Sequence, residues 1–248
     1  MSLESIKRTS NDLPPRIVVY GGEGIGKTTF AAGAPNPVFI PTEEGFGSIE
    51  TSSFPLAIRL SDVMDAISSL YSTEHTYQTV VVDSLDWLEA LVWAQAAKDG
   101  GHKSIEDYGY GKGYIVAADL FRDALDGLNA LRVNKKMIVI LLAHSQVKRF
   151  DDPSTEPYDR YMLKLHQRTG AMVKEWCDIL GFASQKVIVK KEEVGFNAKV
   201  ARGISVGEHV LCLRGTPAFD AKNRYSLPDS IPLSWADLEE ALVAKKGE

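Results

Sequence analysis

The sequence predicts an α/β protein: a mainly parallel central sheet flanked by helices, with antiparallel strands added near the C-terminus. Three observations carry this expectation. Residues 16–29, RIVVYGGEGIGKTT, are an apolar run of buried-strand length that turns through glycines into a helix start. Two more apolar runs, TVVVDS at 79–84 and MIVILLA at 137–143, each follow a stretch of helical period, and that alternation builds parallel sheets. Later apolar segments are spaced by glycine turns, as in antiparallel hairpins.

The first stretch reads as G-x-x-x-x-G-K-[ST], with Gly21, Gly26, Lys27 and Thr28 in the defining positions. Glycines let successive backbone N–H groups face phosphate oxygens where side chains would block the approach. The loop Gly21, Gly22, Glu23, Gly24, Ile25, Gly26, Lys27, Thr28, Thr29 is therefore the expected cradle for ATP or another nucleoside triphosphate. Lys27 neutralises the outer phosphates, Thr28 places its hydroxyl on Mg²⁺, and the helix that follows turns its positive end to the same anion.

With 248 residues and 44% hydrophobic content, one large core is affordable. The expected organisation is a polar arm over 1–15, kept extended by Pro14-Pro15, and one ATPase domain over 16–248. A net charge of −5 argues against a uniformly basic surface, though not against a local nucleic-acid groove. Cys177 and Cys212 are the only cysteines, so neither a disulfide framework nor a structural zinc site is expected, and a reducing cytoplasm fits. The apolar run 137–143 is too short to span a bilayer, and the N-terminus lacks the apolar core of a signal peptide.

Gly33, Pro35 and Pro37 make the helix after the loop short. Val38-Phe39-Ile40 is a second buried strand running into Glu43 and Glu44. Carboxylates at the C-terminal edge of such a strand lie where open α/β sheets place their sites, and one could orient the attacking water; the alternative is a solvated acidic turn. Leu56–Ile58 reads as a short strand, and 61–72 as an amphipathic helix. The strand 79–83 ends in Asp83, which can reach the Mg²⁺ shell. Asp86 to Lys98 is helical, with Trp87, Leu88, Leu91, Val92 and Trp93 assigned to the core.

Residues 101–114, GHKSIEDYGYGKGY, mix glycine with Tyr108, Tyr110, Lys103 and Lys112. Mobile backbone, aromatic faces and cations suit stacking of single-stranded bases; the alternative is an ordered loop whose tyrosines cap the core. A long amphipathic helix over 115–133 leads to the strand 137–143, which ends at His144, a residue able to sense the terminal phosphate. Residues 147–168 form the longest polar connection, with five Lys/Arg, Lys148 and Arg149 among them, against four acids. A connection of that length is usually functional.

Helix returns from Gly170, followed by strands over 179–191 and 208–214 and a short segment near Val200. Lys186, Lys190, Lys191, Lys199 and Arg202 make this the most basic region, although lysines also guard sheet edges. In Ala221–Tyr225, Lys222 and Arg224 are two apart on an extended segment and can reach one anion. Ser234 caps a closing helix.

From Arg16 to Pro228 the chain resembles the RecA-like ATPases, and within them the small phage recombinases of the Sak type. The more specific residues are Phe39-Ile40-x-x-Glu43, the run Ile105 to Gly113, and Lys222-Asn223-Arg224. The resemblance implies an ATP- and Mg²⁺-dependent hydrolase in which Glu43 activates water and His144 couples nucleotide to DNA. It also implies that 101–114 and 146–168 hold single-stranded DNA. Lys222-Asn223-Arg224-Tyr225 is similar to the KNRFG motif of bacterial RadA, which implies that Lys222 and Arg224 act on a neighbouring subunit's ATP. The expected partners are thus single-stranded DNA, further copies of the chain in a ring or filament, and a single-strand-binding protein, with no membrane. The expected role is annealing in phage recombination, in the cytoplasm of a bacterial host. Two alternatives remain: an ATPase that loads or regulates a replication or recombination protein, and a KaiC-like nucleotide-switched assembly module.

Overall fold

The computed structural model describes residues 13–193 and 199–246, with only the backbone described over 187–193, 199–206 and 245–246. Residues 1–12 of the expected arm, and the side chains of Lys190, Lys191, Lys199 and Arg202, lie outside what is described.

The strands are β1 (Arg16–Gly21), β2 (Pro37–Pro41), β3 (Ser52–Ser53), β4 (Thr79–Asp83), β5 (Ile138–Phe150), β6 (Tyr158–Leu163), β7 (Ile179–Glu193), β8 (Lys199–Cys212), β9 (Lys222–Asn223) and β10 (Ser230–Pro232). The helices are α1 (Lys27–Ala32), α2 (Leu60–Ser72), α3 (Leu85–Asp99), α4 (Lys112–Asn134), α5 (Gln167–Trp176) and α6 (Trp235–Lys246). The sheet runs β10-β8-β7-β1-β5-β4-β2-β3, with β6 on β5 and β9 on β7. From β7 through β3 the neighbours are parallel, whereas β8, β10, β9 and β6 pair antiparallel. This is the α/β architecture the sequence predicts, a mainly parallel central sheet flanked by helices with antiparallel strands added toward the C-terminus.

Successive side chains of a strand face opposite sides of a sheet, so a strand buried on both faces must be apolar throughout. Val18 and Tyr20 of β1 pack with Val63, Leu88, Phe121, Leu125 and Val173 of α2 to α5. Ile17 and Val19 pack with Phe30 of α1 and with Trp235 and Leu238 of α6. Two helical layers thus enclose the sheet. Each large apolar side chain so buried contributes about 1.5–3 kcal/mol.

The structure corrects several sequence expectations. Leu56–Ile58 is not a strand; the edge strand is Ser52–Ser53, which pairs with Val38 and Phe39. The strand through 143 does not end at His144. Parallel pairing with β1 stops at the Gly21/His144 pair, but β5 continues to Phe150 against β6. The polar connection is therefore mostly a two-stranded ribbon, because its polar residues alternate and pair across two strands, where a burial pattern alone suggests a loop. The segment near Val200 belongs to β8, and α5 starts at Gln167. Residues 101–114 are also more ordered than expected, with a short 3-10 helix over Ile105–Tyr108 and α4 starting at Lys112.

Candidate active site

Residues at the C-terminal ends of the parallel-paired stretches of β1, β2, β4 and β5 converge on one cleft. It has a volume of about 540 Å³ and is lined by the phosphate loop together with Glu43, Asp83 and His144. Gly21 ends β1 so close to β7 that a Cβ there would collide with the Ala183 carbonyl oxygen. Gly26 turns the loop into α1 at φ 105°, a conformation that L side chains rarely adopt. The sequence needs glycine at both places to make the loop at all.

Lys27 is 7% exposed, and its ammonium donates to the Gly21 and Gly22 carbonyl oxygens at 3.3 and 2.8 Å. Burial lowers its pKa, while Asp83 and Glu43 pull the other way. Thr28 Oγ1 donates to Asp83 Oδ2 at 2.9 Å, so the two oxygens expected around Mg²⁺ already meet. Burial raises the pKa of Asp83, and Thr28 and Lys27 moderate that. A buried lysine held only by loop carbonyls, beside a hydroxyl and carboxylate in contact, fits a phosphate chain with a divalent cation.

Glu43 is placed by β2: Pro41 pairs with Asp83, and the Thr42 amide donates to the Asp83 carbonyl at 2.7 Å. Both Glu43 and Glu44 line the cleft, Glu43 half-buried and Glu44 exposed.

His144 is held by Asp86, a residue that sequence reasoning assigned only to a helix. Its backbone N–H lies 3.1 Å from Asp86 Oδ1 and its Nδ1 lies 2.9 Å from Oδ2. With Nδ1 facing Asp86, Nε2 is the ring's other nitrogen: it accepts in the neutral ring and donates when the ring is protonated. The hydrogen bond to Asp86 raises the His144 pKa above its usual 6.5. Burial alone would raise Asp86, but the bonds from His144 outweigh it and hold the carboxyl below its usual range. Because the folded pKa of His144 is raised, the pair's contribution is complete below about pH 6.5 and is lost as pH rises through the folded value. Asp86→Asn is expected to bring the titration of the His144 ring, followed by NMR, back down toward 6.5; an unchanged midpoint would show that Asp86 does not set it.

Over residues 13–225 the sequence matches the AAA domain family. The chain belongs to that family. No curated protein matches it in sequence. Among solved structures it is similar to the crystal structure of the RadB recombinase, with 16% identity, 81% of each chain covered and a TM-score of 0.43.

The AAA domain carries a second cavity, of about 390 Å³, between the β5–β6 ribbon and α5. It is lined by Lys148 and Arg149, which were expected at DNA, and by Phe150, His166 and Lys174, which were not. The strand pattern could have exposed Phe150, since on the ribbon it shares a face with Lys148. His166 stacks on Tyr114 at 4.3 Å and 2°, which joins residues 101–114 to the base of the ribbon. Of the expected stacking residues, Tyr110 is fully exposed at φ 50°, and Lys103 and Lys112 are exposed. Tyr108 is turned inward: its hydroxyl donates to the Ala96 carbonyl at 2.7 Å and its ring meets His102. It caps α3 and is half-buried.

Lys222 and Arg224 do reach one anionic region, within the chain itself. Lys222 Nζ donates to the carbonyls of Lys174, Glu175 and Cys177 at the C-terminus of α5. Arg224 pairs with Asp178 at 3.2 Å, where Arg16 and Arg132 also converge. Trp87 was expected in the core, but it is 51% exposed and lines the nucleotide cleft. Its neighbours Leu88 and Val92 take the buried face of α3. The described residues contain no helix long and apolar enough to cross a membrane.

Proposed function

We propose that this chain is a Mg²⁺-dependent ATPase that binds single-stranded DNA and assists phage homologous recombination by annealing, with residues 16–248 acting as one ATPase domain in the cytoplasm of the host. The observation that carries the reading is the convergence of Lys27, Thr28, Asp83, Glu43 and His144 on one cleft from which the β5–β6 ribbon rises. Bound ATP and Mg²⁺ supply the phosphoryl group and its charge compensation. Gly21 to Thr29 hold the phosphates, and Thr28 with Asp83 holds the metal. Glu43, with Glu44 beside it, accepts a proton from water in the cleft, and His144, oriented by Asp86 and in its protonated form, donates from Nε2.

Single-stranded DNA fits the surface made by Lys148, Arg149, Phe150 and His166, with Tyr110, Lys103 and Lys112 on the adjoining segment: cations beside aromatic faces are what unstacked bases require. Lys222 and Arg224 complete a neighbouring copy's site in a ring or filament, for which Arg224, already 52% exposed, must release Asp178. A second reading, an ATPase that serves another recombination or replication protein, is favoured by a different observation. Val147 and Tyr161, paired across the ribbon, are 55% and 44% exposed, an apolar contact suited to a protein.

The deciding experiment is steady-state ATP hydrolysis with and without single-stranded DNA, on the wild type, on Lys27→Ala, on Arg224→Ala and on a mixture of the two variants. DNA is expected to raise the wild-type rate several-fold, each variant alone to be impaired, and the mixture to recover activity. Recovery follows because a shared site can then draw an intact Lys27 from one copy and an intact Arg224 from another. DNA-independent hydrolysis would favour the protein-partner reading. A mixture no better than its components would make Arg224 a structural residue only.

A further inference from the structure

We propose that Lys164 is a second cation of the nucleotide cleft, brought there by the return strand of the ribbon, and that it distinguishes a triphosphate from a diphosphate. The proposal rests on the nucleotide-binding reading above. Lys164 lines the same cleft as Lys27, Glu43, Asp83 and His144, yet it comes from the base of a ribbon that also lines a second cavity through Lys148, Arg149 and Phe150.

Its position is fixed by backbone. The Lys164 amide donates to the His144 carbonyl at 2.9 Å, directly after the last ribbon pair, Ser145 with Leu163. The Gln146 side-chain amide donates to the carbonyls of Leu163 and Leu165 at 2.9 and 3.4 Å, clamping the residues on either side. Leu163 and Leu165 are 6% and 5% exposed and face the core, whereas Lys164, at the bend between them, is exposed and lines the cleft. The side chain is exposed, and among the described residues its ammonium has no ion-pair partner.

Charge gives that free cation a use. Among the described residues the cleft is lined by the carboxylates Glu23, Glu43, Glu44 and Asp83, and by two lysines, Lys27 and Lys164. Lys27 serves the phosphates at the loop itself, where the Gly21 and Gly22 carbonyls position it. A phosphate group extending from the loop toward Glu43 and His144 would enter an acidic region with one further mobile cation available. An ammonium facing phosphate forms a charge-assisted hydrogen bond, and such bonds are roughly twice as strong as neutral ones. Since Lys164 hangs from His144 and from the ribbon together, the ribbon's position and the presence of the terminal phosphate become one linked variable.

The test is equilibrium binding of a non-hydrolysable ATP analogue and of ADP, each with Mg²⁺, measured by calorimetry. Lys164→Ala is expected to weaken the analogue about tenfold, the effect of losing one charge-assisted contact, while ADP binding stays within about twofold. Lys164→Arg is expected to recover most of the loss. Gln146→Ala, which loosens the clamp without touching the cation, is expected to shift the analogue in the same direction and leave ADP alone. Equal losses for both nucleotides, or no loss, would overturn the assignment of Lys164 while leaving nucleotide binding in place. A wild-type chain that binds neither nucleotide would overturn the nucleotide reading, and this proposal with it.

Discussion

Lys27→Ala is expected to cost at least about 10²-fold in hydrolysis, the scale of removing one preorganised electrostatic contact from a transition state, with nucleotide binding falling alongside. The fold should barely notice. Lys27 is a buried cation whose hydrogen-bond partners among the described residues are two carbonyls of its own loop, and burial already weighs against its charge. Its removal relieves a desolvation cost while giving up two bonds, so a denaturation midpoint near that of the wild type should accompany the loss of turnover. A variant that unfolds would show instead that the lysine holds the loop together. A variant that still hydrolyses ATP would remove the phosphate loop from the mechanism.

Asp178→Ala is expected to do the opposite, costing about 3–5 kcal/mol of stability, because deleting one partner leaves the others as buried, uncompensated charge. The Asp178 side chain is 3% exposed and accepts from Arg16 through three donors: the backbone N–H at 3.0 Å, Nε at 3.1 Å and Nη2 at 2.8 Å. Arg132, itself 6% exposed, reaches it at 3.4 Å. Burial alone would raise the pKa of this carboxyl, but the hydrogen bonds from Arg16 and the charges of Arg16 and Arg132 outweigh it and hold it below the usual 3.8. The contribution is therefore present above about pH 3.8 and is lost as pH falls through the folded value. The gap between denaturant melts of wild type and Asp178→Ala should narrow as pH falls from 7 toward and through the folded value. A variant within about 1 kcal/mol of wild type at pH 7 would mean that solvent screens the cluster, as at an exposed pair.

Much of the parallel sheet was legible because its strands are buried on both faces. Apolar runs such as Ile17–Tyr20 and Val80–Val82 admit few other readings, and the glycines between Gly21 and Gly26 announce the turn. The ribbon was harder to read. Its strands are solvated, so Val147 to Phe150 and Tyr158 to Met162 alternate without an apolar face, and burial was the signal in use. Asp86 and Lys164 escaped for a related reason. Each is an ordinary charged residue in its own element, and each acquires a role only from a partner distant in sequence, His144 in both cases. Trp87 was misplaced because a helical stripe fixes a face to within about one residue, and at the edge of the stripe the neighbouring cleft decides. Lys222 and Arg224 were legible as a pair facing one way, but their target at Asp178 and the end of α5 required the tertiary structure.

The unbroken run of β5 from Ile138 to Phe150 has a consequence for how such a protein can be remodelled. Its first half is locked between β1 and β4, while its second half has only β6 beside it. Lengthening the outer half by two residues on each arm would extend its reach by about 7 Å and keep every side chain on its original face. Lengthening by one on each arm would turn every side chain beyond the insertion to the opposite face. Reach and sidedness are therefore independently adjustable, by even and odd insertions at one hairpin, without altering the residues that line the cleft.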